Sequence, residues 1–471
     1  MYIKNEDTIC APATIPGTGA ITVIRISGSE CFRIVDKVVT FRRGDVASAA
    51  GYTMKFGTIL YDDGRILDEV VVSVFRAPHS YTGEDSVELS CHASEFIARQ
   101  ILSLLIERGA RMADPGEFTQ RAFLNGKMDL AQAEAVADVI ASGNAASHRI
   151  AMNQMKGGFS SELKDMREEL LHLASLMELE LDFSEEDVEF ADRTRLDSLL
   201  GQIIEHITRL VDSFRLGNAI KNGVPVAIVG STNAGKSTLL NALLGEDRAI
   251  VSDIHGTTRD TIEETMNLDG ILFRFIDTAG IRDTSETIEK IGIERTYKKI
   301  HEANIILGMI DLSDVMSDSG LLNDRVGEIM SAADPQTQKI FLLLNKADKL
   351  ESRLDLDNEV LAAWGSQCEL IPISAKTGLG LDKLRARLAE YQKGLISDTD
   401  STLVTNMRHV EALSSARESL ERVRTGLASG LPTDLAAQDL REGLYHLGSI
   451  IGEINTQDVL NSIFKNFCIG K

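Results

Sequence analysis

Apolar residues fall into three textures along the chain. Up to about residue 118 they come in short runs closed by turn residues. Ile21–Ser27 (ITVIRIS) ends at Gly28, Val70–Phe75 (VVVSVF) is β-branched and stops ahead of Pro78, and Val87–Ser90 offers a further short strand. Over Ala93–Arg108 the period changes to that of a helix, with Phe96, Ile97, Ile101, Leu104 and Leu105 on one face. These signals predict a small α+β domain.

From about residue 119 the texture is helical. Leu163, Met166, Leu170, Leu173, Met177 and Leu181 recur every three or four positions, the stripe of an amphipathic helix. The acidic run Ser184–Glu189 (SEEDVE) reads as a solvated connection, and a further helix is expected over about 195–215. At Asn222–Pro225 the pattern turns to α/β. Val226–Val229, Leu272–Ile276, Ile305–Ile310, Ile340–Leu344 and Glu369–Ile373 are apolar strand candidates, most of them separated by helical segments, which predicts a parallel sheet with crossover helices. That block ends near Gln392–Asp400. Helical stripes then return: Val410, Leu413, Ala416, Leu420, Val423 and Leu427, followed by Leu440, Leu444, Leu447, Ile451 and Ile454. The economical arrangement packs the helices on either side of the α/β block together, so that the block is an insertion into a helical bundle.

Length and charge narrow the function classes. With 471 residues, the chain is long enough for about three domains of ordinary size. Its 49 basic and 71 acidic residues give 49 − 71 = −22, which excludes nucleic-acid binding by bulk positive charge. Aromatic residues make up 5%, too few to suggest base-stacking platforms. The cysteines at 10, 31, 91, 368 and 468 are widely spaced and odd in number, so neither a zinc site nor a disulfide framework is expected. The first residues, MYIKNEDTIC, lack the apolar core of a secretory signal, and no apolar run approaches the roughly 20 residues of a membrane span. A cytoplasmic protein is expected.

Four motifs locate the chemistry. Gly230–Ser237 (GSTNAGKS) matches G-x-x-x-x-G-K-[ST], between the strand Val226–Val229 and a helical segment starting at Thr238. Glycines let the backbone N–H groups of such a loop, including those of Asn233, Ala234 and Gly235, turn toward phosphates at a helix N-terminus. Lys236 is expected to reach the β- and γ-phosphates and Ser237 to hold Mg²⁺. Asp277–Gly280 (Asp277, Thr278, Ala279, Gly280) follows the strand Leu272–Ile276; the aspartate binds Mg²⁺ through water and the Gly280 N–H senses the γ-phosphate. Asn345–Asp348 (NKAD) follows the strand Ile340–Leu344. The Asp348 carboxylate can accept two hydrogen bonds from the guanine edge, a pair adenine does not offer, and the Lys346 stem can lie over the base. In Ser374, Ala375 and Lys376, the Ala375 N–H is expected to face the guanine oxygen. This order of motifs at strand ends makes GTP the expected ligand.

Hydrolysis needs a group to orient water. Many GTPases place Gln immediately after the D-x-x-G glycine, and here that position is Ile281. Asp283, Glu286 and Glu289 are the nearby acids. Transition-state charge also wants a cation. Asn233 can turn its side-chain oxygen toward the phosphates, and Ser252–Asp260 (SDIHGTTRD) is long enough to wrap the nucleotide and offer carbonyls to a monovalent ion, while Thr257 or Thr258 completes the Mg²⁺ shell.

GSTNAGKS, DIHGTTRD and DTAGIRD with IEKIGIERT resemble the TrmE/MnmE-type tRNA modification GTPases. So do TIPGTGAITVIRISG, SYTGEDSVEL, PGEFTQRAFLNGKMDLAQAEAV and the terminal FCIGK, so the resemblance covers essentially the whole chain. It implies a multidomain α+β and α/β protein: an N-terminal folate-binding and dimerising domain (1–118), a helical domain (119–217 and 394–471) and an inserted Ras-like GTPase domain (218–393). It implies a GTP hydrolase that, as a homodimer with an FAD-dependent partner protein, installs a carboxymethylaminomethyl-type group on the wobble uridine of tRNAs from a reduced-folate one-carbon donor. By motif position, Asn233, Ser252, Ile254 and Thr257 would surround K⁺, Ser237 and Thr258 would bind Mg²⁺, and Glu289 would orient the attacking water. Glu88 would meet the pterin edge, with Arg25, Lys127 and Lys471 as basic contacts to folate.

Cys468 is open to two readings, a nucleophile in one-carbon chemistry favoured by Lys465 or Lys471, or a buried structural thiol; its place in FCIGK favours a role in modification. Two positions depart from the family pattern. His92-Ala93-Ser94 stands where His-Gly-Gly is common, which puts the folate pocket in question, and Thr232 replaces a common Pro in the phosphate loop. A competing class is a regulatory RNA-binding GTPase of ribosome assembly, which usually wants a basic appendage that this chain lacks. A folate-dependent methyltransferase with a GTP-sensing domain is a third.

Overall fold

Short β-branched runs and amphipathic stripes give two sheets and a set of long helices in the computed structural model. It describes residues 7–470 apart from 62, 183–192, 232–233, 246–263, 269–270, 277–302, 316–319, 335–337, 350–367, 397–401, 455–456, 466 and 468. The acidic run 184–189 therefore lies outside the described residues. The chain forms two compact units, Met1–Ile140 with Ala151–Glu205 and Ala412–Lys471, and Ala141–Ile150 with His206–Glu411.

The first unit carries a seven-stranded sheet. Its strands are β1 (Ile9–Pro12), β2 (Ile21–Ser27), β3 (Val39–Phe41), β4 (Thr53–Leu60), β5 (Ile66–Phe75), β6 (Ser86–His92) and β7 (Arg111–Met112), in the order β3-β4-β5-β6-β2-β1-β7. Alternation puts Ile24, Ile26, Val70, Val72, Val74, Val87 and Leu89 on one face, where they are buried with Phe32, Ile34 and Val35 of α1 (Cys31–Val38) and Ile101 and Leu105 of α2 (Glu95–Glu107). The helical period over 93–108 is confirmed, but Phe96 is 60% exposed: it lies off the Ile101–Leu105 stripe in the first turn of α2.

Helices follow in the same unit: α3 (Glu117–Leu124), α4 (Leu130–Ala141) and α6 (Gly158–Asp182); of α5 (Ala145–Met155), the residues up to Ile150 belong to the second unit and those from Ala151 to the first. Leu163, Met166, Leu170, Leu173 and Met177 of α6 are buried as the stripe predicts. The helix Thr433–Ile451 packs along α6, burying Leu440, Leu444, Leu447 and Ile451 and pairing Arg441 with Glu178 at 2.9 Å. Ile454 falls beyond the helix C-cap, Gly452 (φ +90°), and is exposed rather than part of that stripe. The helix α7 (Arg193–Asn222) extends past the expected 195–215.

The second unit holds six strands, β8 (Val224–Gly230), β9 (Glu264–Leu268), β10 (Ile271–Ile276), β11 (Ile305–Asp311), β12 (Lys339–Asn345) and β13 (Glu369–Pro372), in the order β13-β12-β11-β8-β10-β9. All pairings are parallel except β9 with β10. This is the mostly parallel, doubly covered sheet that the apolar runs predict, with an antiparallel edge strand added. Its buried strands pack on one side against Leu239, Leu240 and Leu243 of α8 (Lys236–Leu244) and Leu384 and Leu388 of the helix Leu381–Ile396. On the other they pack against Val326, Ile329 and Met330 of the helix Gly320–Ala332. The C-terminal ends of β8, β11 and β12 thus lie side by side, where ligands of such sheets sit.

Candidate functional site

The phosphate-loop motif grows from β8, a strand buried along its length between β10 and β11. Gly235 takes φ +97° at the start of α8, and a Cβ there would stand 2.4 Å from Asn345 Nδ2, so only glycine fits the turn. The Lys236 ammonium folds back over the loop and donates to the carbonyls of Gly230 at 2.8 Å and Ser231 at 2.9 Å. Burial pulls its pKa down. An ammonium has three protons, so one donor remains beyond these two carbonyls. Ser237 and Thr238 occupy the first turn of α8, and the positive end of the helix dipole makes that end attractive to anions.

Asn345, at the end of β12, joins three of the motifs. Its Nδ2 donates to the Ala234 carbonyl of the phosphate loop at 2.7 Å, and its Oδ1 accepts the Ala375 N–H at 3.0 Å. The side chain is 3% exposed, so both bonds are sheltered from water. The Ala375 N–H, expected to face a guanine oxygen, is directed at Asn345. Asp348 is exposed, and a hydrogen bond from the Ser374 side chain holds its carboxyl below the usual carboxylate range. Ser374 is itself buried and accepts the Thr377 N–H on Oγ at 3.3 Å, while Lys376 is exposed. The loops carrying Asn345–Asp348 and Ser374–Lys376 are also tied through backbone, Ala347 N–H to the Ile373 carbonyl at 3.0 Å. Lys346 has φ +67° and pairs its ammonium with Asp311, a contact the motif reading does not contain. Asn233, Ser252, Ile254, Thr257, Thr258, Asp277, Thr278, Ala279, Gly280 and Glu289 lie outside the described residues.

A second cluster lies on the face of the seven-stranded sheet opposite its α1–α2 core. Arg25 and Glu88 are register partners across β2 and β6, and the guanidinium pairs with Glu88 Oε1 at 2.9 Å. The same guanidinium stands over the rings of Tyr81 (5.3 Å) and Phe118 (5.7 Å) and donates to the Gly470 carbonyl at 3.3 Å. Gly470 needs its φ of +96°, and a Cβ would meet the Pro12 carbonyl oxygen at 2.1 Å, so the C-terminal segment is wedged against the end of β1. Lys127 is placed separately, donating to the Pro78 carbonyl at 2.9 Å. Lys471 and Cys468 lie outside the described residues. Cys10, Cys31, Cys91 and Cys368 are buried; burial pushes the Cys10 and Cys91 thiols up to about 11. At the departure from His-Gly-Gly, Ala93 and Ser94 have no positive φ; Ala93 pairs its backbone with Gly19 and Ala20, so the fold itself asks for no glycine there.

Sequence reasoning missed a buried ionic network behind this cluster. Arg121, 5% exposed, bonds Glu117 Oε1 at 2.9 Å, Asp7 Oδ1 at 2.8 Å and Glu84 Oε2 at 3.3 Å. Arg111 adds Glu117 at 2.7 Å and Asp7 at 2.7 Å. Burial alone would raise the Glu117 carboxyl, but hydrogen bonds from Arg111, the Asp114 N–H and Arg121 outweigh it and hold it low. The only available signal was the i, i+4 spacing of Glu117 and Arg121, which ordinarily marks a solvated helix face.

Comparison with known proteins is consistent along the whole chain. The family model of the GTP-binding protein TrmE N-terminus matches residues 8–127, and that of the MnmE helical domain matches residues 130–468. The tRNA modification GTPase MnmE of Bacteroides fragilis is 53% identical over 471 residues, covering 99% of this chain and 100% of the relative. The proteins of the same description from Bacteroides thetaiotaomicron and Porphyromonas gingivalis are 52% and 50% identical, covering 99% and 100% of this chain and 100% and 99% of the relatives.

Proposed function

The chain belongs to the TrmE/MnmE family, and from that premise we propose that it is a GTP-hydrolysing enzyme of tRNA modification. The observation that carries the nucleotide reading is Asn345, whose buried side chain links the phosphate loop to the Ser374–Lys376 loop. Three motifs that bind different parts of GTP are thereby gathered at one sheet edge. Lys236 keeps a proton for the phosphates, and Asp348 stays ionised to accept from the guanine edge.

The finer reading extends from the family motifs. Ser237 and Thr258 hold Mg²⁺, with Asp277 acting through water. Asn233, Ser252, Ile254 and Thr257 hold K⁺, which supplies transition-state charge in place of an arginine. Glu289 orients the attacking water. A reduced folate is held by Glu88, Arg25, Lys127 and Lys471. The Arg25–Glu88 pair suits it: a carboxylate for an amide edge and a guanidinium for a carboxylate tail, beside the rings of Tyr81 and Phe118. Cys468 takes part in the modification chemistry. The protein works as a cytoplasmic homodimer with an FAD-dependent partner and installs a carboxymethylaminomethyl-type group on wobble uridine. Its domains are 1–118, 119–217 with 394–471, and 218–393.

Mass spectrometry of tRNA nucleosides from a deletion strain tests this reading. Loss of the modified wobble uridine, restored by the wild-type chain, is expected. Unchanged wobble uridines would overturn it. In the purified protein, GTP turnover in potassium should greatly exceed that in sodium; equal rates would remove the cation from the account.

A further inference from the structure

The Asn345–Asp348 motif explains its own asparagine and aspartate by the groups they bind, but not the acid on the neighbouring strand. Asp311 ends β11 as the register partner of Asn345 and is 6% exposed. Its Oδ1 accepts the Ser313 N–H at 2.9 Å, and its Oδ2 pairs with the Lys346 ammonium. Burial would raise this carboxyl, yet the Lys346 ammonium and the Ser313 N–H outweigh it and hold it low, so the carboxylate is ionised at neutral pH.

Lys346 is one of two non-glycine residues with positive φ among those described. A lysine adopts the left-handed region only where its surroundings impose it. The backbone turn at Lys346 is what carries the chain from the end of β12 into the short 3₁₀ turn Ala347–Lys349, which contains Asp348. A free lysine side chain also loses rotamer entropy when it is fixed. An anchor already holding the ammonium removes that cost from the binding step.

We propose that Asp311 is a positioning residue for base recognition: anchoring the Lys346 ammonium, it fixes the lysine stem and the left-handed turn that presents Asp348. This rests on the guanine-binding reading above. The competing role is local, an acceptor that only caps the Ser313 N–H.

Full-length protein separates the two. Asp311→Asn keeps the volume and an oxygen for the Ser313 N–H but removes the charge that holds Lys346. GDP affinity by calorimetry should fall about tenfold, GDP release should quicken, and KM for GTP should rise more than kcat changes. Asp311→Glu, which restores the charge, should recover part of the affinity. In a Lys346→Met background, Asp311→Asn should cause no further loss, because the group it holds is gone. Wild-type affinity in Asp311→Asn, or an equal loss with and without Lys346, would overturn the proposal. If Asp311→Asn does not fold, Asp311→Glu decides: affinity lying between wild type and Lys346→Met supports anchoring, and affinity equal to Lys346→Met refutes it. Failure of the wild-type protein to bind GDP would instead count against the guanine-binding reading.

Discussion

Truncating Asn345 to alanine tests whether the nucleotide loops are held together by one side chain. The substitution deletes a donor to the Ala234 carbonyl at 2.7 Å and an acceptor for the Ala375 N–H at 3.0 Å. At 3% exposure, neither backbone group has bulk water at hand. A buried polar group left unpaired costs about 1–3 kcal/mol, so the pair amounts to about 2–6 kcal/mol. Water can enter the space left by the amide and repair part of this, which favours the lower end, about 2–3 kcal/mol. If GDP binding must re-form both loops, that is about a 30- to 150-fold loss of affinity. Calorimetric titration of the full-length variant with GDP reads it directly, with thermal unfolding run alongside to confirm a folded protein. Asn345→Asp should be at least as harmful, because it keeps the acceptor but sets a carboxylate oxygen against the Ala234 carbonyl. Affinity within threefold of wild type in the alanine variant would refute the reasoning.

Removing Arg121 as Arg121→Met leaves the buried Glu117 carboxylate with Arg111 alone and takes a guanidinium from Asp7 and Glu84; loss of hydrogen bonding to a charged group costs about 1.5–3 kcal/mol, seen as a lower urea midpoint for the N-terminal unit, and an unchanged midpoint would contradict it. The carboxyls of Asp7 and Glu117 titrate lower in the folded state than unfolded, so their contribution is present above about pH 4.5 and is lost as pH falls through the depressed folded values. The urea midpoint should therefore drop between pH 5 and pH 3, less so in Arg121→Met; a rise would contradict this. In native protein at pH 8, a thiol reagent should label Cys10, Cys31, Cys91 and Cys368 slowly, since all four are buried with raised pKa values, and rapid labelling of any of them would refute their placement. Gly470→Ala forces a methyl into the Pro12 carbonyl and should release the C-terminal segment from Arg25, weakening binding of a reduced folate; unchanged binding would show that this carbonyl does not hold the guanidinium in place.

Much of the fold was legible because burial writes periodicity into the sequence. β8, β11 and β12 are covered on both faces, so they read as unbroken apolar runs. β9 was not legible: it is an edge strand with Met266 as its only buried residue, and Glu264–Leu268 has no apolar run to betray it. β4 escaped for a related reason, since Met54 and Phe56 face outward while Gly57 and Ile59 face in. Phe96 misled in the opposite sense, because large apolar residues at helix ends need not join the core.

The positions of the phosphate-loop, Asn345–Asp348 and Ser374–Lys376 motifs at strand ends were legible, since each follows an apolar run. Their mutual contacts were not. That Asn345 would bridge Ala234 and Ala375, or Asp311 reach Lys346, depends on strand order, which brings together residues 111 and 35 positions apart. The Arg25–Glu88 pair is the same case: 63 positions separate the two, and only the β2–β6 register joins them. The Arg121 network was hidden because a charged residue in a helix reads as solvated until its neighbours are known.

The central claim is that loops at the C-terminal ends of β8, β12 and β13 take up a guanine nucleotide. Titrating the full-length protein calorimetrically with GTP and, separately, with ATP in magnesium buffer tests it most directly. Saturable binding of GTP with no measurable binding of ATP is the predicted result. Absence of GTP binding, or equal binding of both, would contradict the account.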